Sequence, residues 1–183
     1  FIWTSEKDGF NHIYIKGLDG SEQQITKGNW EVTAFDGVNS DKMEIYYRST
    51  QEGSINRTLY VQNLETEETR KLSTQIGDNS IKFSENFKYY MNSYSNANTA
   101  PYYTLHNSSG KQLKVLEDNA DFNLKMEEFN LSEKEFFTIK TEDAELNAWM
   151  IKPPNFDENK EYPLYMFLYG GPGSQQVTNS FGW

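Results

Sequence analysis

The chain lacks cysteine altogether and contains only two histidines, His12 and His106, in 183 residues. The absence of thiols excludes disulfides, thiolate catalysis and zinc–sulfur sites. Two histidines far apart in the sequence do not supply the three or four ligands of a transition-metal site. We therefore expect no metal and no other cofactor, and we interpret both histidines as strand or turn residues.

Positive charge is also scarce, because 17 Lys and Arg residues face 27 Asp and Glu residues, which gives a net charge of −10. An acidic surface repels phosphate backbones, so we expect no nucleic-acid partner. No run of about 18 apolar residues occurs, and we expect no membrane-spanning helix in this chain. Aromatic residues make up 15% of the sequence, which excludes ordinary intrinsic disorder.

Short β-rich runs separated by turn residues fill the first two thirds of the chain, and they repeat. Two sets of apolar markers return every 43–47 residues: Trp3, Tyr47 and Tyr90, and Ile25, Leu72 and Val115. Two further runs, residues 32–35 and 81–83, supply a first strand for the second and third units. Four strands in about 40–45 residues are typical of a β-propeller blade. An antiparallel sandwich with chance spacing is the alternative.

The repeat stops near residue 118, and the sequence changes character. We predict about three blades in residues 1–118, the first without its innermost strand, then a crossover in residues 119–133. A hairpin is expected at residues 135–140 and 146–152. Residues 164–169 are apolar or aromatic without alternation, which is typical of a strand buried on both faces of a parallel sheet. The predicted fold class is mainly β: a partial propeller followed, in residues 134–183, by the first strands of an α/β-hydrolase domain.

A glycine-rich turn, Tyr169-Gly170-Gly171-Pro172-Gly173-Ser174, follows that predicted strand directly. It lacks the Gly-Lys-Ser/Thr of a phosphate loop and the Gly-x-Gly-x-x-Gly of a dinucleotide site. It fits the loop of an α/β-hydrolase that helps to form the oxyanion hole, and a tight structural turn is the alternative. No Gly-x-Ser-x-Gly elbow occurs, so Ser174 is interpreted as a loop residue.

The order of these parts resembles the prolyl oligopeptidase family of serine peptidases, and within it the dipeptidyl peptidase IV branch. The strings that carry the resemblance are SEKDGFNHIY at residues 5–14, ITKGNWEV at 25–32, VLEDN at 115–119, LNAWMIKPPNFD at 146–157 and YGGPGSQ at 169–175. The resemblance spans about residues 1–180. Because the chain begins inside a strand-like run, we expect it to be a middle segment of a longer protein.

The resemblance implies a function for the longer protein. Members of the dipeptidyl peptidase IV branch release dipeptides from free peptide N-termini, with Pro or Ala preferred at the second position, and a propeller caps their α/β-hydrolase domain. The resemblance makes Tyr169 an oxyanion-hole donor, and a Tyr hydroxyl is a neutral donor below about pH 10. It also implies a homodimer located in the periplasm, outside the cell or on its surface.

Other functional residues of the family have no counterpart in these 183 residues. The Ser, Asp and His of the catalytic triad are absent, as is the pair of Glu residues that binds the substrate amine. We therefore expect the chain to be inactive by itself. Two alternatives stay open: a propeller-derived binding module without catalytic machinery, and another branch of the family, such as an acylaminoacyl peptidase or an endopeptidase.

Overall fold

The computed structural model describes residues 1–171 and 173–182, which form three antiparallel sheets, a short helix and a hairpin. Sheet I contains β1 (Ile2–Ser5), β2 (His12–Lys16) and β3 (Glu22–Gln24). Sheet II contains β4 (Val32–Asn39), β5 (Glu44–Ser49), β6 (Thr58–Asn63) and β7 (Thr69–Lys71). Sheet III contains β8 (Asp78–Phe83), β9 (Tyr89–Asn96), β10 (Thr99–Asn107) and β11 (Gln112–Glu117).

Within each sheet, the strands pair with their neighbours in chain order. Sheet I has three strands while sheets II and III have four, and β4 and β8 supply the additional first strands. This confirms the repeat of antiparallel units and the shorter first unit. Strand β11 forms the outer edge of sheet III with all six residues exposed, and its pairing with β10 shifts register at two places.

Sheet II is buried on both faces, and strand β5 shows why. Successive side chains of a strand point to opposite faces. Ile45 and Tyr47 join a core cluster with residues of sheet I, whereas Tyr46 joins a second cluster with residues of sheet III. All three are at most 1% exposed. Because its side chains alternate between the two faces, strand β5 packs against sheet I on one side of sheet II and against sheet III on the other.

Aromatic rings make up much of both interfaces. Toward sheet I, the ring of Tyr47 stacks on Trp30 with centroids 6.2 Å apart and planes 4° apart. Toward sheet III, the ring of Tyr46 contacts Phe83 and Phe87 at 4.5 and 5.3 Å. Such pairs contribute about 0.5–1.5 kcal/mol each beyond the burial of their area.

A buried ion pair reinforces the contact between sheets II and III. Arg48 on β5 donates two hydrogen bonds of 3.1 Å to the carboxylate of Asp36 on β4. A further guanidinium hydrogen bond of 3.4 Å reaches the Asn79 carbonyl oxygen on β8. Burial raises the pKa of the Asp36 carboxyl, and the hydrogen bonds and charge of Arg48 offset only part of that increase.

Both histidines are part of the sheets, as the sequence predicts. The His12 ring is fully buried, with hydrogen bonds to Thr26 Oγ1 at 3.1 Å and to the Gly28 carbonyl oxygen at 3.0 Å. The His106 ring is partly buried and bonds Thr104 Oγ1 at 2.8 Å and the Gly110 carbonyl oxygen at 3.1 Å. Each ring nitrogen thus has a partner within its own sheet or the turn beside it.

The predicted crossover contains a helix that the sequence did not reveal. Helix α1 (Ala120–Glu127) has eight residues and none of them is buried. Eight residues form about two helical turns, and because none of them is buried they show no amphipathic pattern from which a helix could be predicted. The Asp118 carboxylate, which accepts the backbone N–H of Ala120 at 3.0 Å, helps the helix to begin.

The predicted hairpin is confirmed as β12 (Lys134–Lys140) paired with β13 (Glu145–Ile151).

The predicted buried strand at residues 164–169 is wrong for this structure. These six side chains are 59–89% exposed and their backbone is irregular. A strand in a parallel sheet needs neighbours on each side, and no described strand lies beside this run. An α/β-hydrolase part is accordingly not evident in the described residues. No helix in the described part of the chain is long and apolar enough to cross a membrane.

The Asp36–Arg48 pair gives a stability prediction. Arg48→Met leaves a carboxylate that is only 8% exposed without its cation, which costs about 3 kcal/mol of unfolding free energy at pH 7. The pKa of Asp36 rises further in this variant. Protonation of the Asp36 carboxyl therefore favours the folded state of the variant. The loss of unfolding free energy grows as pH rises through the pKa of Asp36 and shrinks as pH falls toward 4. Urea unfolding at both pH values measures this.

The matched double variant Asp36→Leu/Arg48→Met removes both charges and should recover most of the lost stability, because replacing a buried ion pair by apolar side chains is often neutral. An Arg48→Met loss that is the same at pH 4 and pH 7 would contradict the role of Asp36.

The two histidines give a second prediction. His12→Phe keeps a ring against Trp30, which His12 contacts edge-on at 4.8 Å, but removes both hydrogen bonds. Buried polar groups left unsatisfied cost about 1–3 kcal/mol, so we expect a loss of about 2 kcal/mol. His106→Phe should cost less than half as much, because solvent reaches that ring. Thermal melting of both variants checks the order, and equal losses would show that burial does not decide the cost.

Candidate functional site

Tyr169 ends the exposed apolar run at residues 164–169, and its side chain is 59% exposed. Among residues 1–171 and 173–182, its hydroxyl has no hydrogen-bond partner. The hydroxyl is therefore available to donate to an incoming oxygen.

Gly171 provides the space that the Tyr169 ring occupies. A Cβ built on Gly171 would lie 2.6 Å from the Tyr169 hydroxyl oxygen and 2.7–2.8 Å from two ring carbons. The ring therefore folds back over the backbone of the glycine two residues later. Gly170, by contrast, has open space where a Cβ would stand. Pro172, within the same motif, lies outside the described residues.

The segment after this turn returns to the sheets, and its sequence does not predict this contact. Phe181 packs edge-on against Phe122 of α1, with centroids 5.9 Å apart, and its backbone N–H reaches Ser95 Oγ at 3.3 Å. Lys134 Nζ donates to the Gly182 carbonyl oxygen at 2.7 Å. Only the polar Asn and Gln side chains of residues 174–180 could have indicated such docking, and they are equally typical of solvated loops.

A separate cleft of about 310 Å³ opens between sheets I and II. Its lining is largely neutral and polar, and consists of residues 23–27, Trp30, Tyr47, Gln51, Gln62, Leu64, Glu67 and Thr69. Burial raises the pKa of Tyr47 to about 12, so its phenol stays protonated at neutral pH. No residue of the Tyr169 loop lines this cleft.

The described residues supply a hydrogen-bond donor at Tyr169, but no serine hydroxyl among them is hydrogen-bonded to a histidine. Ser174 Oγ accepts a hydrogen bond from Gln176 Nε2 at 3.1 Å, and both histidines are engaged elsewhere in the sheets. Within the same residues, no group of three His, Asp or Glu side chains lies close enough to hold a metal ion. The exposed Tyr169 hydroxyl can donate a hydrogen bond, but hydrolysis would also need a nucleophile and a base.

Known proteins resemble the whole chain. It is 34% identical over 187 aligned residues to dipeptidyl peptidase 4 of Trichophyton rubrum, which covers 99% of this chain and 24% of that protein. A probable dipeptidyl peptidase 4 of Aspergillus flavus is 33% identical and covers 97% of the chain and 24% of its own length. The chain thus spans about a quarter of the length of these relatives.

A solved structure shows the same fold. The crystal structure of Porphyromonas gingivalis dipeptidyl peptidase 4 superposes with a TM-score of 0.93 and 40% identity, covering 100% of this chain and 26% of that one. Several antiparallel sheets and one short helix thus match part of the propeller of that enzyme. Residues 1–101 match the family described as the dipeptidyl peptidase IV (DPP IV) N-terminal region. With more than half of its residues in that match, the chain belongs to the dipeptidyl peptidase IV N-terminal region family.

Proposed function

We propose that this chain is a segment of a serine exopeptidase that releases N-terminal dipeptides carrying Pro or Ala at the second position. Family membership and the 40% identity with the Porphyromonas gingivalis enzyme over the whole chain support the proposal. The match to the DPP IV N-terminal region favours the dipeptidyl peptidase branch over the other branches of the family. The activity itself belongs to the longer polypeptide.

The observation that carries the proposal is the Tyr169 hydroxyl, which is exposed and, among the described residues, unpaired beside Gly171. When a serine attacks a peptide carbonyl, negative charge develops on the carbonyl oxygen. A donor placed in advance at that oxygen stabilises the transition state more than the ground state. A neutral phenol serves as such a donor without transferring its proton.

The remaining machinery comes from the rest of the polypeptide under this proposal. Residues 1–118 contribute the propeller segment, residues 119–133 the crossover and residues 134–183 the beginning of the catalytic domain. The alignment of 99% of this chain with dipeptidyl peptidase 4 supports a continuous segment across these parts. The nucleophilic Ser, the acid and the base lie outside the 183 residues.

The partners follow from the same proposal. Peptides with free N-termini are the substrates, the enzyme is a homodimer, and it works in the periplasm, outside the cell or on the cell surface. These three proposals rest on family membership alone. Size-exclusion chromatography with light scattering and cell fractionation of the full-length protein test the last two.

Tyr169→Phe in the full-length polypeptide tests the proposed role directly. The change keeps the ring and deletes only the donor. Loss of one oxyanion-hole donor lowers kcat by about 10²–10³, or roughly 2.7–4 kcal/mol. KM should change little, because the bond forms mainly in the transition state. Steady-state kinetics with Gly-Pro-p-nitroanilide measure both constants.

A melting curve controls for unfolding, and the 183-residue chain alone should release no p-nitroaniline above the buffer rate. If Tyr169→Phe lowers kcat less than about threefold, Tyr169 is only the end of an apolar run. If the full-length protein shows no turnover of any dipeptide amide, a propeller-derived binding module becomes the better account.

The two neighbouring glycines give a matched pair of variants. Gly171→Ala places a methyl group where the Tyr169 ring now lies, so the ring must rotate away. Gly170→Ala adds the same methyl group in open space. We expect Gly171→Ala to abolish the nuclear Overhauser contacts between the Tyr169 ring and residue 171, and Gly170→Ala to retain them. Loss of these contacts in both variants would show that the loop as a whole, and not the ring, responds to the methyl group.

A further inference from the structure

Asn179 uses both its side-chain amide and its backbone N–H on loops of two different sheets. Its backbone N–H donates to the Ile55 carbonyl oxygen at 2.8 Å, and its Nδ2 donates to Asn56 Oδ1 at 3.0 Å. Its Oδ1 accepts the backbone N–H of Ala97 at 3.0 Å. Ile55 and Asn56 lie in the β5–β6 loop of sheet II, and Ala97 lies in the β9–β10 turn of sheet III. One residue therefore fastens the segment after the Gly-rich turn to both sheets.

Gln175 makes a second attachment to the β5–β6 loop. Its Oε1 accepts a hydrogen bond of 2.6 Å from Arg57 Nη2, and its Nε2 donates to the Ser54 carbonyl oxygen at 2.9 Å. Arg57 is itself held by the Asn56 carbonyl oxygen at 2.8 Å and the Ser54 carbonyl oxygen at 3.0 Å. Burial lowers the pKa of Arg57, but a guanidinium remains protonated in proteins, so a charged donor faces the amide.

The receiving loop is fixed by its own hydrogen bonds. Asn56 is 6% exposed, and its Nδ2 donates to the Glu52 carbonyl oxygen at 2.7 Å. The backbone N–H of Arg57 donates to the Gly77 carbonyl oxygen at 2.8 Å, which joins the loop to the start of sheet III. Asn179 and Gln175 therefore bind to a rigid support rather than to a loose loop.

Few residues separate these attachments from Tyr169. Gln175 follows Tyr169 by six residues, and the Ser174 N–H donates to the Gly171 carbonyl oxygen at 3.3 Å, which shortens the path further. Six extended residues span at most about 20 Å, and a turn spans less. Fixing the far end of so short a segment restricts where the Tyr169 hydroxyl can lie.

We infer that Asn179, Gln175 and Arg57 form a clamp that positions Tyr169 for the reaction proposed above. The inference rests on that proposed function. None of the three touches the reacting atoms, and each acts through the loop that carries Tyr169. Displacement of a reacting group by about 1 Å can cost about 10² in rate. Loss of the clamp therefore lowers kcat without removing any chemical group from the site.

The test is a double-mutant cycle in the full-length polypeptide with Gly-Pro-p-nitroanilide. Asn179→Ala should lower kcat by about 10–100-fold with KM within about twofold. In the Tyr169→Phe background, the same change should lower kcat by less than about twofold, because the hydroxyl that it positions is already absent. A general loss of structure would give the same factor in both backgrounds, and that outcome would overturn the inference.

Asn147→Ala is the matched control. Its Nδ2 donates to Ser54 Oγ at 2.8 Å, so it contacts the same β5–β6 loop, but it belongs to the β12–β13 hairpin. Its removal should leave kcat within about twofold of the unaltered enzyme. A fall in kcat as large as that of Asn179→Ala would assign the effect to the loop in general and would also overturn the inference.

Hydrogen exchange followed by mass spectrometry tests whether the clamp exists, and it does so without an activity measurement. Asn179→Ala should raise the exchange rate of residues 174–182 at least tenfold, whereas Asn147→Ala should not. Unchanged exchange means that no clamp exists in solution. If Asn179→Ala fails to fold, Gln175→Ala, which removes only the exposed attachment, takes its place in both experiments. An unaltered full-length protein without dipeptide release contradicts the proposed function, while the exchange result still decides whether the clamp exists.

Discussion

The two consecutive tyrosines on β5 are the constraint on which the rest of this structure depends. Because neighbouring strand residues point to opposite faces, Tyr47 fixes sheet I and Tyr46 fixes sheet III against the same central sheet. Neither ring has room to move, since each is almost fully buried among other aromatic rings. Strand β5 therefore takes part in both interfaces, the one between sheets I and II and the one between sheets II and III.

The position of the loops is a direct result. The β5–β6 loop and the β9–β10 turn both follow the second strand of a four-stranded sheet, so equivalent connections of sheets II and III meet at one end. The segment that follows the Gly-rich turn binds at this end. A feature of the core, the two-sided burial of β5, thus determines where the chain beyond residue 170 can attach.

The sequence was a reliable guide to the sheets and a poor one beyond them. The markers Trp3, Tyr47 and Tyr90 recur because they lie on corresponding strands of the three units, β1, β5 and β9, and the last two are buried there, so the period can be recognised in the sequence. The exposed run at residues 164–169 shows the opposite case. Its composition is that of a buried strand, but burial depends on neighbouring strands, which composition alone does not provide.

Helix α1 and the docking of Asn179 escaped prediction for different physical reasons. The eight residues of α1 have no buried face, so their sequence shows no amphipathic pattern. The polar residues that cap the helix also occur in many loops and do not identify it. The partners of Asn179 precede it by at least 82 positions in the chain. An amide side chain in a sequence does not indicate such distant partners. The Tyr169 motif, by contrast, could be found because glycine-rich turns are conspicuous in sequence.

The outer strand β11 has a consequence for the behaviour of the chain during folding. A flat edge strand with free N–H and C=O groups attracts a second chain, and aggregation can begin there. The two shifts in the β10–β11 register bend this edge, and Lys114 places a charge in the middle of the strand. A newly made chain that has completed sheet III therefore presents an irregular, charged border on which another copy cannot easily add a strand.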